Sequence, residues 1–166
     1  MRKVILAAGC LCFLALAVLP AQAFTANDLT ITLDPEGNAH VNMQYQLSVP
    51  EYFAVFLRIA DPARELTRAL ESGLNKPVTV EKFDSNSAQV TVTSFATVTK
   101  TDTEVTMTTP KVSFEQAQKV INQYWFAPLI SPDFSPKVTT VIFPDGYQAG
   151  FYDQIAIPSL THAMQS

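Results

Sequence analysis

Between positions 39 and 49 apolar and polar side chains alternate without a single error. Ala39, Val41, Met43, Tyr45, Leu47 and Val49 are interleaved with His40, Asn42, Gln44, Gln46 and Ser48. A period of two places one set on a buried face and the other in water, which predicts a half-buried strand. Leu29, Ile31 and Leu33 alternate with Thr30 and Thr32 in the same way. The intervening Asp34-Pro35-Glu36-Gly37-Asn38 is turn chemistry. The two runs therefore predict an antiparallel hairpin.

The period then changes. From Pro50 onward, Tyr52, Phe53, Val55, Phe56 and Ile59 cover a broad helical face. Asp61-Pro62 reads as a second N-cap followed by proline at the first helical position. Ala63, Leu66, Ala69 and Leu70 continue that stripe, and Gly73-Leu74 predicts its stop. Two helical segments kinked at Pro62 are expected.

Val78 and Val80, Val90 and Val92, and Val105 and Met107 then mark three strands. Threonine is dense between positions 91 and 109, as suits the exposed face of a sheet. Ser113 with Gln116 forms a capping box, and Phe114, Ala117, Ile121, Tyr124 and Trp125 share a helical face. Pro128, Pro132 and Pro136 stiffen the following loop. Residues 138–143 read as a strand, Pro144-Asp145-Gly146 as a turn, and 148–157 as its hairpin partner. Pro158 ends regular structure and leaves 158–166 as a loose tail. Strand pair, helices, three strands, helix, strand pair is the order of an α+β domain. The expected architecture is an antiparallel sheet of about five to seven strands with helices packed on one face.

The N-terminus changes how the rest is read. Arg2 and Lys3 precede an uncharged apolar run of about 15 residues, and Pro20 and Ala21-Gln22-Ala23 follow. Such a segment is shorter than the roughly 20 residues of a spanning helix and has the layout of a cleavable secretory signal. Residues 1–23 are expected to be removed, leaving a single domain from Phe24 to Ser166 in a secreted or extracytoplasmic setting. An uncleaved segment would instead anchor the chain to a membrane. Cleavage removes Cys10 and Cys12, the only cysteines, so the mature chain can form no disulfide, thiol nucleophile or cysteine metal site. It also removes two of the 11 basic residues against 15 acidic ones, moving the formal charge from −4 to −6. An acidic chain without a Lys/Arg cluster does not suit nucleic acid or anionic lipid. After cleavage no apolar stretch is long enough to span a bilayer.

Catalytic and cofactor motifs are not found. The sequence lacks the G-x-S-x-G elbow, H-E-x-x-H, the P-loop and G-x-G-x-x-G, and no cofactor is implied. His40 sits on a polar strand face, where a solvent-facing role is expected, and His162 falls in the predicted tail. Asp34 to Asn38 carries oxygen ligands at alternate positions but lacks the length and the late bidentate glutamate of a calcium loop. One stretch offers a binding surface. Tyr124, Trp125, Phe126, Leu129, Ile130 and Phe134 form an apolar, proline-stiffened segment that could line a pocket or present a patch, with Phe151 and Tyr152 extending it. The alternative is that these side chains close one end of the core.

The segments 50–62, Tyr124-Trp125-Phe126-Ala127-Pro128-Leu129 and Phe143-Pro144-Asp145-Gly146-Tyr147 resemble uncharacterised small exported proteins of methanogenic archaea. The resemblance spans most of the mature chain. It implies an extracytoplasmic setting and brings no activity and no site residues.

These readings favour a non-catalytic exported domain that binds an unknown protein or cell-surface partner, or assembles at the surface or envelope, through residues 124–134. A carrier of a small apolar ligand or lipid is the second reading. A secreted hydrolase built around His40 is the third.

Overall fold

The computed structural model describes residues 25–46, 62–84, 86–115, 119 and 133–165. In chain order the strands are β1 (Thr25–Leu33), β2 (Ala39–Gln46), β3 (Val78–Phe83), β4 (Ser87–Val92), β5 (Thr97–Lys100) and β6 (Glu104–Thr108). They continue as β7 (Val112–Ser113), β8 (Val138–Ile142), β9 (Gln148–Tyr152), β10 (Ala156–Ile157) and β11 (Thr161–Gln165), and one helix, α1 (Pro62–Leu74), precedes β3.

The first hairpin forms as its alternation predicts. Leu29, Ile31 and Leu33 face Met43, Val41 and Ala39 across the β1–β2 ladder, and Thr30 and Thr32 face Asn42 and His40. At the turn, Asp34 Oδ1 accepts the N–H groups of Glu36 at 3.0 Å and Asn38 at 2.8 Å, while Oδ2 accepts the Asn38 side-chain amide at 2.8 Å. Gly37 closes it with φ +86° and touches the segment before β5, where Ala96 N–H donates to Gly37 O at 2.8 Å.

That hairpin is the centre of a six-stranded sheet in the order β3-β4-β2-β1-β8-β9. Its five strand pairings are not all antiparallel: β1 and β8 run parallel, with Ile31 opposite Val141. A second, three-stranded sheet has the order β11-β6-β5, and β7 with β10 forms a small ribbon. The inward face of the large sheet contributes Leu29, Ile31, Leu33, Val90, Val92, Val141 and Phe143 to one hydrophobic cluster. Met107 of β6 and Met164 of β11 complete that cluster from the small sheet, with Phe95 and Ala96 between. Each of the Leu, Ile, Val, Phe and Met side chains removed from water stabilises the fold by about 1.5–3 kcal/mol.

The α+β expectation is overturned. Eleven strands in several sheets stand against one short helix among the described residues, so the chain is mainly β. Helix α1 lies against β3 at one edge of the large sheet, with Leu70 and Leu74 packed against the core. The strands missed from sequence are short and carry few apolar side chains: β5 has only Val98, and β7 and β10 are two residues each. Such segments are stabilised by pairing with distant strands, which no local period records. The predicted hairpin partner at 148–157 also divides. Asp153, at φ +51°, ends β9, and Ala156–Ile157 joins β7 in the ribbon.

Two further expectations are corrected. The tail expected after Pro158 contains strand β11, which pairs antiparallel with β6 from Thr161↔Thr108 to Gln165↔Glu104. Thr109 fastens this junction: its N–H donates to Leu160 O at 2.8 Å, its hydroxyl accepts Leu160 N–H at 3.0 Å, and its carbonyl accepts the Ser159 hydroxyl. Helix α1 begins at Pro62 as expected and ends at Leu74, and its left-handed cap is Asn75, not Gly73; Asn75 takes φ +53° and its N–H donates to Glu71 O at 2.8 Å. Asparagine replaces glycine in that left-handed position because its short polar side chain tolerates it. The signal segment, the helical segment from Pro50, and most of the helix expected after Ser113 lie outside the described residues.

Candidate functional site

Of the aromatic segment singled out from sequence, Tyr124, Trp125, Phe126, Leu129 and Ile130 lie outside the described residues. Phe134 is described and is half-buried on the approach to β8. Phe151 packs against the core, whereas Tyr152 projects into solvent. The two aromatic residues thus divide between core and surface, as alternation along a strand requires.

His40 lies on the exposed face of β2, beside Asn42, Gln44 and Gln46, in agreement with its expected solvent-facing place. Its Nδ1 is 3.1 Å from Thr91 Oγ1, and that hydroxyl donates to Glu81 Oε1 at 2.5 Å. A hydroxyl has one proton to give. Thr91 spends it on Glu81, so His40 must donate to Thr91 and cannot simultaneously take a proton from it. The row is a surface hydrogen-bond ladder across β2, β4 and β3.

The turn carboxylates are similarly occupied. Burial opposes the charge of Asp34, but hydrogen bonds from the Asn38 side chain and from the backbone of Asn38 and Glu36, with the nearby His40, hold it below the ordinary value. The Asp84 carboxylate is also held well below its usual range. Lys82, 2.8 Å away, is the first cause, followed by the Asn86 N–H and the backbone and hydroxyl of Ser87. Tyr45 donates its hydroxyl to Asp84 O at 2.5 Å, and burial followed by the Asp84 charge pushes the phenol up to about 12. Among the described residues no group of three or more His, Cys, Asp or Glu side chains could hold a metal ion.

His162 is the residue that sequence reasoning placed least well. As part of β11 it turns inward, and its Nε2 lies 2.7 Å from Asp145 Oδ2 in the β8–β9 turn. The hydrogen bond from His162 and that from Tyr147 N–H hold the Asp145 carboxyl below its ordinary value, so the imidazole is the donor. The ring stacks on Tyr147 with centroids 4.2 Å apart and meets Phe143 edge-on at 4.9 Å. Next to this cluster is a depression of about 280 Å³, open to solvent, with Met107 and Met164 among its lining and Pro35, Lys100, Pro144 and Asp145 around it.

The same turn leads into the surface that stands out most. Tyr147 and Tyr152, 51% and 68% exposed, are the exposed large hydrophobic side chains among the described residues. Tyr147 immediately precedes β9 and Tyr152 is its last residue, and β9 is the last strand of the six-stranded sheet. Phe143 N–H donates to Tyr147 O, and Asp153 N–H donates to Lys137 O. In an antiparallel ladder the paired residues alternate. Ala149 and Phe151 therefore bond inward to β8, and Gln148, Gly150 and Tyr152 direct their main-chain N–H and C=O groups outward. All three are exposed. The uncharged run Gly146-Tyr147-Gln148-Ala149-Gly150-Phe151-Tyr152 was the available sequence signal. What it could not reveal is that β9 borders the sheet.

No protein-family model, no curated protein and no solved structure matches this chain. Among the described residues no helix is long and apolar enough to cross a membrane.

Proposed function

We propose that this is an exported, non-catalytic domain that acts by binding or assembling at the cell surface or envelope. The observation that carries the reading is the β9 border: a sheet edge with outward main-chain groups and two exposed tyrosines. Unpaired strand edges recruit further strands, and tyrosine combines apolar area with a hydrogen-bonding hydroxyl at interfaces. The N-terminal segment supports the exported setting. The resemblance to methanogen exported proteins implies the same place.

The test is co-fractionation. The protein is incubated with cell-envelope preparations of its host and sedimented, alongside a Tyr147→Ser/Tyr152→Ser double variant. Binding by the first and loss by the second, with unchanged thermal melts, is the expected result. Retention of the double variant would remove the β9 border from the function. Failure of both to sediment would overturn the envelope-binding reading.

A further inference from the structure

We propose that the partner of β9 is a second copy of the same strand, so that two chains join antiparallel across a twofold axis at Gly150 and their sheets become continuous. The inference rests on the binding-and-assembly reading and names its partner.

Natural edges that must stay unpaired are protected by charge, proline or bulges. At the opposite border, β3 has a ladder irregularity between Val80 and Lys82, exposed Glu81 and Lys82, and α1 beside it. In the smaller sheet, β5 is four residues long and ends in Lys100, while β11 offers only Thr161, Ala163 and Gln165 outward, with no large side chain to cover. Among the described residues β9 has none of these devices. From Gly146 to Tyr152 there is no charge and no proline, and the β8–β9 register runs without a shift.

Its pattern is also self-complementary. With Gly150 opposite Gly150 of the other chain, Gln148 lies opposite Tyr152 and Tyr152 opposite Gln148. Each of the three pairs consists of residues whose N–H and C=O groups point outward, so the ladder closes with two bonds per pair. An amide then faces a phenol on both sides of the axis. The flanking carboxylates do not meet: Asp153 falls opposite Tyr147, and Asp145 opposite Ile155. This matters for an acidic chain, in which like charges placed directly across a strand pair would repel. Gly150 removes side-chain bulk at the axis, and Asp153, at φ +51°, turns the chain away where the ladder ends.

The glycine also supplies a selective test. A Cβ at position 150 meets only the Tyr152 hydroxyl, at 3.8 Å, so the monomer accepts a side chain there. In the twofold dimer, and only there, residue 150 faces itself. Sedimentation equilibrium of the purified protein from low to high micromolar concentration should give a mass rising to that of a dimer. Gly150→Lys and Gly150→Glu should each remain monomeric over that range, with circular dichroism melts like the wild type. Mixing the two should restore a dimer, because lysine then faces glutamate. A monomeric wild type overturns the inference, as does a dimer that persists in both variants or a mixture that stays monomeric. Envelope binding by a monomeric wild type would overturn only this inference and leave the proposed function standing. If a variant melts early, Gly150→Ser, which adds no charge, must still dimerise for the inference to hold.

Discussion

The His162 imidazole lies face to face with the Tyr147 ring, 13° from parallel and 4.2 Å between centroids, while its Nε2 donates to Asp145 2.7 Å away. The pair joins the last strand of the small sheet to the β8–β9 turn of the large one. Removing the ring by His162→Ala deletes two aromatic contacts and a charge-assisted hydrogen bond. A cost of about 1–3 kcal/mol is expected from the ring contacts alone. Asp145→Asn keeps the shape and removes the charge, so it should destabilise less. Urea unfolding of both variants checks the order, and hydrogen exchange should show β11 losing protection first.

Two glycines with nearly the same backbone angle should respond differently to alanine. Gly37 and Gly146 have φ +86° and +88°. An added Cβ at Gly37 would come within 2.6 Å of Ala96 O and 2.8 Å of Val98 Cγ2, whereas nothing lies within 4 Å at Gly146. Gly146→Ala should cost only the left-handed strain of about 1–2 kcal/mol. Gly37→Ala adds overpacking of about 1–3 kcal/mol on top, because a main-chain carbonyl must move. Thermal melts of the two variants measure the difference directly.

The β1–β2 hairpin, the Pro144-Asp145-Gly146 turn and the start of α1 were legible because each is specified by residues adjacent in sequence. Alternation supplied the faces, and proline and glycine supplied the ends. The parallel pairing of Ile31 with Val141 was not legible, since strand neighbours across more than a hundred residues leave no local mark. β11 shows the same limit in one residue. His162 and Met164 alternate with exposed Thr161, Ala163 and Gln165, but five residues behind Pro158 resemble a tail until β6 is seen beside them. The site was half legible. Tyr152 belonged to the suggested patch, yet its significance comes from β9 being an edge, a property of the whole sheet.

Acid should weaken the fold through its turns. Asp34, Asp84 and Asp145 are all held below the ordinary value of 3.8 in the folded chain. The unfolded chain therefore binds protons first as pH falls, so these groups contribute stability that is complete above about pH 5 and declines below about pH 4. Melting temperature measured across this range should be level at the upper end and fall toward pH 2. Asp34→Asn should lower the plateau and flatten the fall, because its share of the proton linkage is gone. A wild type equally stable at pH 6 and pH 3 would contradict this role for the turn carboxylates.

The proposed export makes a prediction about mass and thiols together. Cleavage after Ala23 leaves Phe24 as the first residue, one position before β1 begins at Thr25. Intact mass spectrometry of the protein recovered from outside the cytoplasm should give the chain of residues 24–166, and a thiol reagent should find nothing to label after denaturation. Replacing Leu14 and Leu16 with arginine interrupts the apolar run that secretion requires. That variant should stay in the cytoplasm with Cys10 and Cys12 still reactive. Recovery of wild-type protein with both thiols intact would place the chain on a membrane anchor instead, and the β9 border would then act beside a lipid surface.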